Sequence, residues 1–218
     1  MPPTAPHNDG STRLALVLAS TSPRRAEILR AHGVPFVVEA PSIDDGDLTS
    51  GDVSPQQWVA SLAHLKARSV VDRLTARGDR GWLVLGADTI VVKEGQIIGQ
   101  PQDRREAGRI IRTLENGAHA AVTGVALLCE DGRRRLFADE ARVRVGKIGD
   151  DRIEAYLATD GWRGKAGAYN LQERIDDGWP LECEGDPTTV MGLPMRRLAP
   201  MLARLLGAAA RGAEGAIA

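Results

Sequence analysis

The sequence predicts an α/β fold built around a mixed sheet, and three observations carry that expectation. Apolar, β-branched runs alternate with helix-period segments from Leu14 to Leu114. A long apolar run, Ala120 to Cys129, is then followed by a turn and a second alternating strand, which adds an antiparallel pair. No internal repeat and no interdomain linker interrupts the 218 residues, so one domain or two small lobes are expected over 13–207. That unit lies between a polar, Pro-rich arm at 1–12 and an Ala/Gly-rich tail at 208–218, both expected to be flexible.

The first element is the strand Leu14 to Ala19, followed by Ser20-Thr21-Ser22-Pro23 and a helix that ends at Gly33. Arg24 and Arg25 fall in the first turn of that helix, where cations oppose the macrodipole at about 0.3–1 kcal/mol each. Their placement beside free N–H groups and the hydroxyls of Ser20, Thr21 and Ser22 makes sense if an anion, such as a phosphate, binds among them. The other reading is a solvated basic helix start. Val34 to Glu39 suits a second strand, and an acid-rich loop with Asp44, Asp45 and Asp47 follows, either solvated or supplying a metal ligand.

Ser54-Pro55-Gln56-Gln57 is a capping box that opens a helix running to about Ala76. Trp58, Leu62, Leu65 and Ser69 are expected on its inner face. Lys66 borders that face, so it either lays its stem on the core or points into a cleft. Trp82 to Val92 is a buried strand carrying one acid, Asp88. A buried carboxylate is costly unless it is paired, protonated or metal-bound, and Gly86-Ala87 leave room for a ligand. Asp88 is therefore either a site acid or an acid satisfied by backbone N–H groups.

A short return strand, Gln96 to Ile98, precedes a helix capped by Asp103, with Ala107, Ile110, Ile111 and Leu114 on its apolar face. The hairpin turns at Glu130-Asp131-Gly132. Asp150 is expected to cap a short helix carrying Ile153, Tyr156 and Leu157. Glycines 161, 164 and 167 then mark a loop in which Lys165 is a phosphate-contact candidate, although no Walker pattern is present. Leu181 to Glu184 is the last strand, and Gly192-Leu193-Pro194 opens a final helix whose methionines fill core.

Composition narrows the function classes. Charged residues make up 26%, apolar residues 43%, and the net charge is −1, which argues against a broad nucleic-acid surface but allows a small phosphorylated ligand. Aromatics at 4% leave few bases for stacking platforms. Two distant cysteines suit reduced thiols, and four scattered histidines show no zinc spacing. A metal would then be held by carboxylates and phosphates, which suits Mg²⁺. No signal peptide or membrane-length apolar run is evident, so a cytoplasmic protein with no membrane or nucleic-acid partner is expected.

In order along the chain stand LASTSPRR at 18–25, LKA at 65–67, GADTIVV at 86–92, KAGAYNLQ at 165–172 and VMGLP at 190–194. This ordered set resembles the Maf family of nucleotide pyrophosphatases over about Leu14 to Leu206. The resemblance implies an inosine-triphosphate-pyrophosphatase-like fold, with an elongated mixed sheet and two lobes around a cleft. It also implies a homodimer, a divalent metal (normally Mg²⁺), and hydrolysis of nucleoside triphosphates to monophosphate and pyrophosphate. Its implied role is cleaning of the nucleotide pool or arrest of cell division.

Carried over by residue, Asp88 matches the family's proton acceptor, and Ser20, Arg24 and Arg25 its phosphate-binding motif. Lys66 and Lys165 match the family's lysines, and Asp45 stands where many members place a glutamate near the metal with Asp88. Arg24, Thr89 and Gln172 match the set expected of the branch acting on dTTP, UTP and modified pyrimidine nucleotides. EGDPTTVMGLP at 184–194 looks more like the branch acting on 7-methyl-GTP, and YNLQER replaces the commoner YxIQG. Gln100 stands where many members have lysine. A 7-methyl-GTP pyrophosphatase and a nucleotide-binding regulator without catalysis are the alternative expectations.

Overall fold

The computed structural model describes residues 14–43 and 48–214. In chain order the elements are β1 (Ala15–Ala19), α1 (Pro23–Ala31), β2 (Val37–Val38), α2 (Pro55–Arg77), β3 (Trp82–Lys93), β4 (Gln96–Ile98), α3 (Arg104–Leu114), β5 (Gly117–Cys129), β6 (Arg134–Val145), α4 (Asp150–Leu157), α5 (Leu171–Asp176), β7 (Leu181–Glu184), α6 (Pro187–Val190) and α7 (Met195–Glu214). One turn of 3₁₀ helix, Ala166–Ala168, precedes α5.

Among the described residues the strands form one seven-stranded mixed sheet in the order β2-β1-β3-β5-β6-β7, with β4 added to β3. β1 runs parallel to β2 and β3, while the pairs β3–β5, β5–β6 and β6–β7 run antiparallel. The strands β3, β5 and β6, of 12, 13 and 12 residues, make the sheet long. β5 takes one edge of β3 from Leu83 to Val92. On the other edge β1 pairs as far as Gly86, and β4 begins only at Val91. Ala87, Asp88, Thr89 and Ile90 therefore face a gap in the sheet just past the carboxyl end of parallel β1. Open α/β sheets place ligands at such points.

Three packed clusters surround this gap. Leu16, Leu18, Leu83 and Leu85 pack against Leu29 of α1 and Leu198 and Leu202 of α7 on one face. Val17, Val84 and Ala126 meet Ala63, Ala67 and Val70 of α2 on the other. At the far end of the long strands, Val91, Val143 and Val145 join Ile111 of α3, Tyr156 of α4 and Trp162. These clusters lie at the two ends of one sheet.

Most expected elements occur within a residue or two, and the departures have physical causes. The inner face of α2 is Val59, Leu62, Ala63, Ala67, Val70, Val71 and Leu74; Leu65 is 39% exposed and Trp58 only half-buried. The helix is rotated because it lies unusually close to the sheet. A Cβ on Gly86 would stand 2.3 Å from the Ala63 carbonyl oxygen, and one on Gly124 would stand 2.3 Å from the Val59 carbonyl. Only small residues fit such a contact, so the larger Leu65 and Trp58 turn aside.

The second strand is two residues rather than six. Gly149, not Asp150, is the cap position of α4, and the Glu115 carboxylate accepts from the N–H groups of Ile148 and Gly149 at 2.6 and 2.8 Å. The short helices α5 and α6 were not foreseen. Asn170 and Asp186 cap them by accepting from backbone N–H groups. Helix α7 continues to Glu214, into the stretch expected as a tail.

Candidate active site

The gap in the sheet opens into a cleft of about 670 Å³. Of the residues singled out from the sequence, Ser20, Arg24, Arg25, Lys66, Asp88, Thr89 and Lys165 all line it. Gln172 does not: it is exposed on α5, and its amide donates to the Asp176 carboxylate at 2.9 Å. Asp45 lies outside the described residues, although Pro41 and Ile43, just before it, stand on the cleft wall.

The close approach of α2 to β3 creates the floor. Asp88 points to the same face as Gly86, under the helix, and is registered opposite Gly124. Lys66, between Ala63 and Ala67 on the contact face, donates from Nζ to Asp88 Oδ1 at 2.6 Å. The two side chains are 14% and 11% exposed. Asp88 is thus paired with a lysine in a cleft, and Lys66 is aimed inward rather than at bulk water. A charge-assisted bond this short orients the carboxylate.

The rim above is the start of α1. Ser22, at the cap position, makes no side-chain capping bond, and no acid lies in the first turn. Ser22 instead donates its own N–H to Ser20 Oγ at 3.1 Å. The first-turn N–H groups and the positive end of the helix therefore open toward the cleft. Arg25 ties three segments together. It donates to Ser20 Oγ at 3.1 Å, to the Gly192 carbonyl at 3.1 Å and to Thr89 Oγ1 at 3.3 Å. Arg24 reaches across to the Gly164 carbonyl at 3.4 Å. Burial lowers its pKa from the ordinary guanidinium value, an effect opposed by nearby Glu173.

The opposite wall is the second lobe. Lys165 Nζ is held by Glu173 Oε2 at 2.8 Å, and Asn170 Nδ2 donates to the other Glu173 oxygen at 2.9 Å. Gly167 and Ala168 both have left-handed backbones, with φ of 73° and 64°. A Cβ at Gly167 would come within 2.9 Å of Val91 Cγ2. This tight turn presents Tyr169 to the cleft. The Tyr169 hydroxyl is 2.8 Å from His119 Nε2. Burial pushes the Tyr169 phenol well above its ordinary pKa, and burial followed by Lys93 lowers His119 to about 4.

Several cleft residues escaped the sequence reading. Glu173 and Tyr169 sit within or beside KAGAYNLQ, where the signal was an acid and an aromatic flanking the motif. Thr123 is the lone hydroxyl in the apolar β5 run Val122 to Cys129, and its partner across the ladder is Thr89. Gly192 acts through its carbonyl, which no residue type could announce.

Among the described residues no group of three or more His, Cys, Asp or Glu side chains is placed to hold a metal. A Mg²⁺ ion asks for less. It keeps several waters and binds through one or two carboxylates plus substrate phosphates. The Asp88 carboxylate, facing a cleft lined by hydroxyls and cations, fits that pattern. Among the described residues no helix is long and apolar enough to cross a membrane.

The chain is 41% identical over 188 residues to a dTTP/UTP pyrophosphatase of Symbiobacterium thermophilum, covering 86% of this chain and 92% of that one. It is 38% identical to proteins of the same name from Pelotomaculum thermopropionicum, over 86% of this chain and 94% of that one, and Salinibacter ruber, over 84% and 87%. The family described as Maf-like protein matches residues 15–205, and the chain belongs to that family.

Proposed function

We propose that this protein is a nucleoside triphosphate pyrophosphatase, acting on dTTP, UTP and related modified pyrimidine nucleotides. The observation that carries the reading is the Lys66–Asp88 pair at 2.6 Å, set in a sheet gap beneath a helix start that carries Arg24 and Arg25 and no acid. The similarity to dTTP/UTP pyrophosphatases supports the same reading.

The triphosphate lies along the α1 start, held by its N–H groups and by Ser20, Arg24 and Arg25, with Lys165 closing from the other lobe. Asp88 takes the proton of a water that attacks the α-phosphorus. The bond from that phosphorus to the bridging oxygen breaks, and nucleoside monophosphate and pyrophosphate leave. Lys66 orients Asp88. Cations aimed at the developing charge supply most of the rate in such sites. Mg²⁺, held by Asp88 and Asp45, would neutralise phosphate charge when bound. Thr89 contacts the base, and Gln172, outside the cleft lining, would have to leave Asp176 to do so. A cytoplasmic homodimer that cleans the nucleotide pool accords with this activity.

Pyrophosphate release with Mg²⁺ across dTTP, UTP, 5-methyl-UTP, 7-methyl-GTP and ATP tests the reading. Turnover of the thymine and uracil nucleotides is expected. Turnover of 7-methyl-GTP alone would move the specificity to the other branch. Tight nucleotide binding with no turnover of any would make the protein a regulator.

A further inference from the structure

A cleft suited to a polyanion also holds an acid that the proposed reaction does not use. Glu173, in the first turn of α5, belongs to the cleft lining. Its Oε2 accepts from Lys165 Nζ at 2.8 Å, and its Oε1 accepts from Asn170 Nδ2 at 2.9 Å. Asn170 is itself fixed: it is buried, and its Oδ1 accepts from the N–H groups of Gln172 and Glu173. The Lys165 side chain is 14% exposed and that of Glu173 is 49% exposed. The lysine is thus the sheltered member of the pair and the carboxylate the accessible one, so an incoming anion can take the carboxylate's place while the lysine stays in the wall. Glu173 is also near enough to Arg24 for its charge to oppose the burial that lowers the guanidinium pKa. One carboxylate therefore acts on two of the cations that hold the triphosphate in the proposed reaction.

We infer that Glu173 is a positioning residue that acts through Lys165 as its resident counter-ion: it competes with bound phosphate for the ammonium and so lets the pyrophosphate product leave. This rests on the proposed activity and on Lys165 meeting the phosphates. Cations that bind a triphosphate bind pyrophosphate too, because the two departing phosphates carry most of the charge. Product held that firmly limits turnover. With Glu173 in reach, a phosphate contact to Lys165 replaces a charge-assisted hydrogen bond already made, and the gain is only the difference between the two. Substrate keeps the contacts of its nucleoside, which pyrophosphate lacks, so the product is left as the weaker ligand. Glutamine at 173 would break this arrangement. It has one acceptor oxygen in place of two and no charge, so it can keep Asn170 or Lys165 but not both.

The test is calorimetric titration of inorganic pyrophosphate, at fixed Mg²⁺, into native protein, Glu173→Gln, Lys165→Met and the double variant. Glu173→Gln is expected to bind pyrophosphate about three- to fivefold more tightly, the scale of a partly exposed ion pair. A gain in affinity is a result that loss of a merely structural acid does not produce. Lys165→Met should bind more weakly than native protein. Adding Glu173→Gln to it should gain less than in the native background, because the competition passes through Lys165. Unchanged or weaker binding in a folded Glu173→Gln protein overturns the inference. An equal gain with and without Lys165 also overturns it, since that marks plain repulsion between carboxylate and phosphate. If Glu173→Gln does not fold, Glu173→Ala, which removes both acceptors, takes its place with the same expectation. Absence of UTP turnover by native protein would be a failure of the proposed activity, recognisable before any variant is made, and the titrations would still decide whether Glu173 competes for Lys165.

Discussion

At the scale of single residues, the site turns on Asp88 and the side chains that aim it. Asp88→Asn keeps the size and loses the base, so turnover should drop by about 10²–10⁴-fold with little change in thermal stability. Steady-state pyrophosphate release and a melting curve check both halves. His119 is a different kind of residue. It is 3% exposed, and its Nδ1 has no hydrogen-bond partner. Burial holds its folded pKa near 4, below the ordinary 6.5. The unfolded chain therefore binds a proton between those values that the folded chain refuses, so stability is full above about pH 6.5 and declines as pH falls toward 4. The decline attributable to this group is on the order of 3 kcal/mol. Melting temperatures from pH 7 to 4 should show a shallower slope in His119→Asn than in the native chain. Asp88 was legible in the sequence, because an acid inside a β-branched run breaks a pattern, whereas Lys66, at the border of a helix stripe, was singled out only by the resemblance to the Maf family. Thr123 was not, because it acquires its place only through partners distant in sequence, Thr89 and Thr189, and Glu173 was not, because an exposed acid in a short helix shows no pattern until Lys165 is seen to meet it.

At the scale of elements, the spacing between α2 and the sheet is the main determinant. Gly86 and Gly124 let the helix approach until Lys66 reaches Asp88. Gly124→Ala would drive a methyl group into the Val59 backbone, 2.3 Å away, and backbone cannot rotate aside. A loss of about 1–3 kcal/mol is expected from such overpacking, together with a fall in kcat as the helix shifts. Denaturant unfolding and kinetics on the same preparation test this. Ser54→Ala, at the start of the same helix, removes a capping box whose Oγ accepts from Gln57 N at 3.2 Å, and should cost about 1 kcal/mol while leaving kcat near native. The existence and start of α2 were readable from that box; at its other end Gly78 adopts φ 77°. Its rotation was not, because the rule that large apolar residues face inward fails where glycines of another element set the distance. The helices α5 and α6, of 6 and 4 residues, are too short to show a period, and only their caps Asn170 and Asp186 could have marked them.

At the scale of the whole molecule, one long sheet carries two lobes, and the place where β1 stops and β4 has not begun is where chemistry can be housed. The mixed direction of the sheet was legible from alternation followed by a hairpin, but the order of its strands was not. The gap itself was not, since it depends on β1 and β4 sharing one edge of β3. Cations reach the cleft from both sides, Arg24 and Arg25 from one and Lys165 from the other, and Lys165 is held by Glu173. A triphosphate bridging them should draw the lobes together and release Lys165 from Glu173. In the proposed reaction this cleft splits nucleoside triphosphates into monophosphate and pyrophosphate through Asp88. The most direct measurement is the product balance from UTP with Mg²⁺, in native protein and in Asp88→Asn. Equal amounts of UMP and pyrophosphate from the native protein, with the rate falling at least about 100-fold in the variant, are the expected result. Release of orthophosphate, or undiminished turnover in Asp88→Asn, would contradict it.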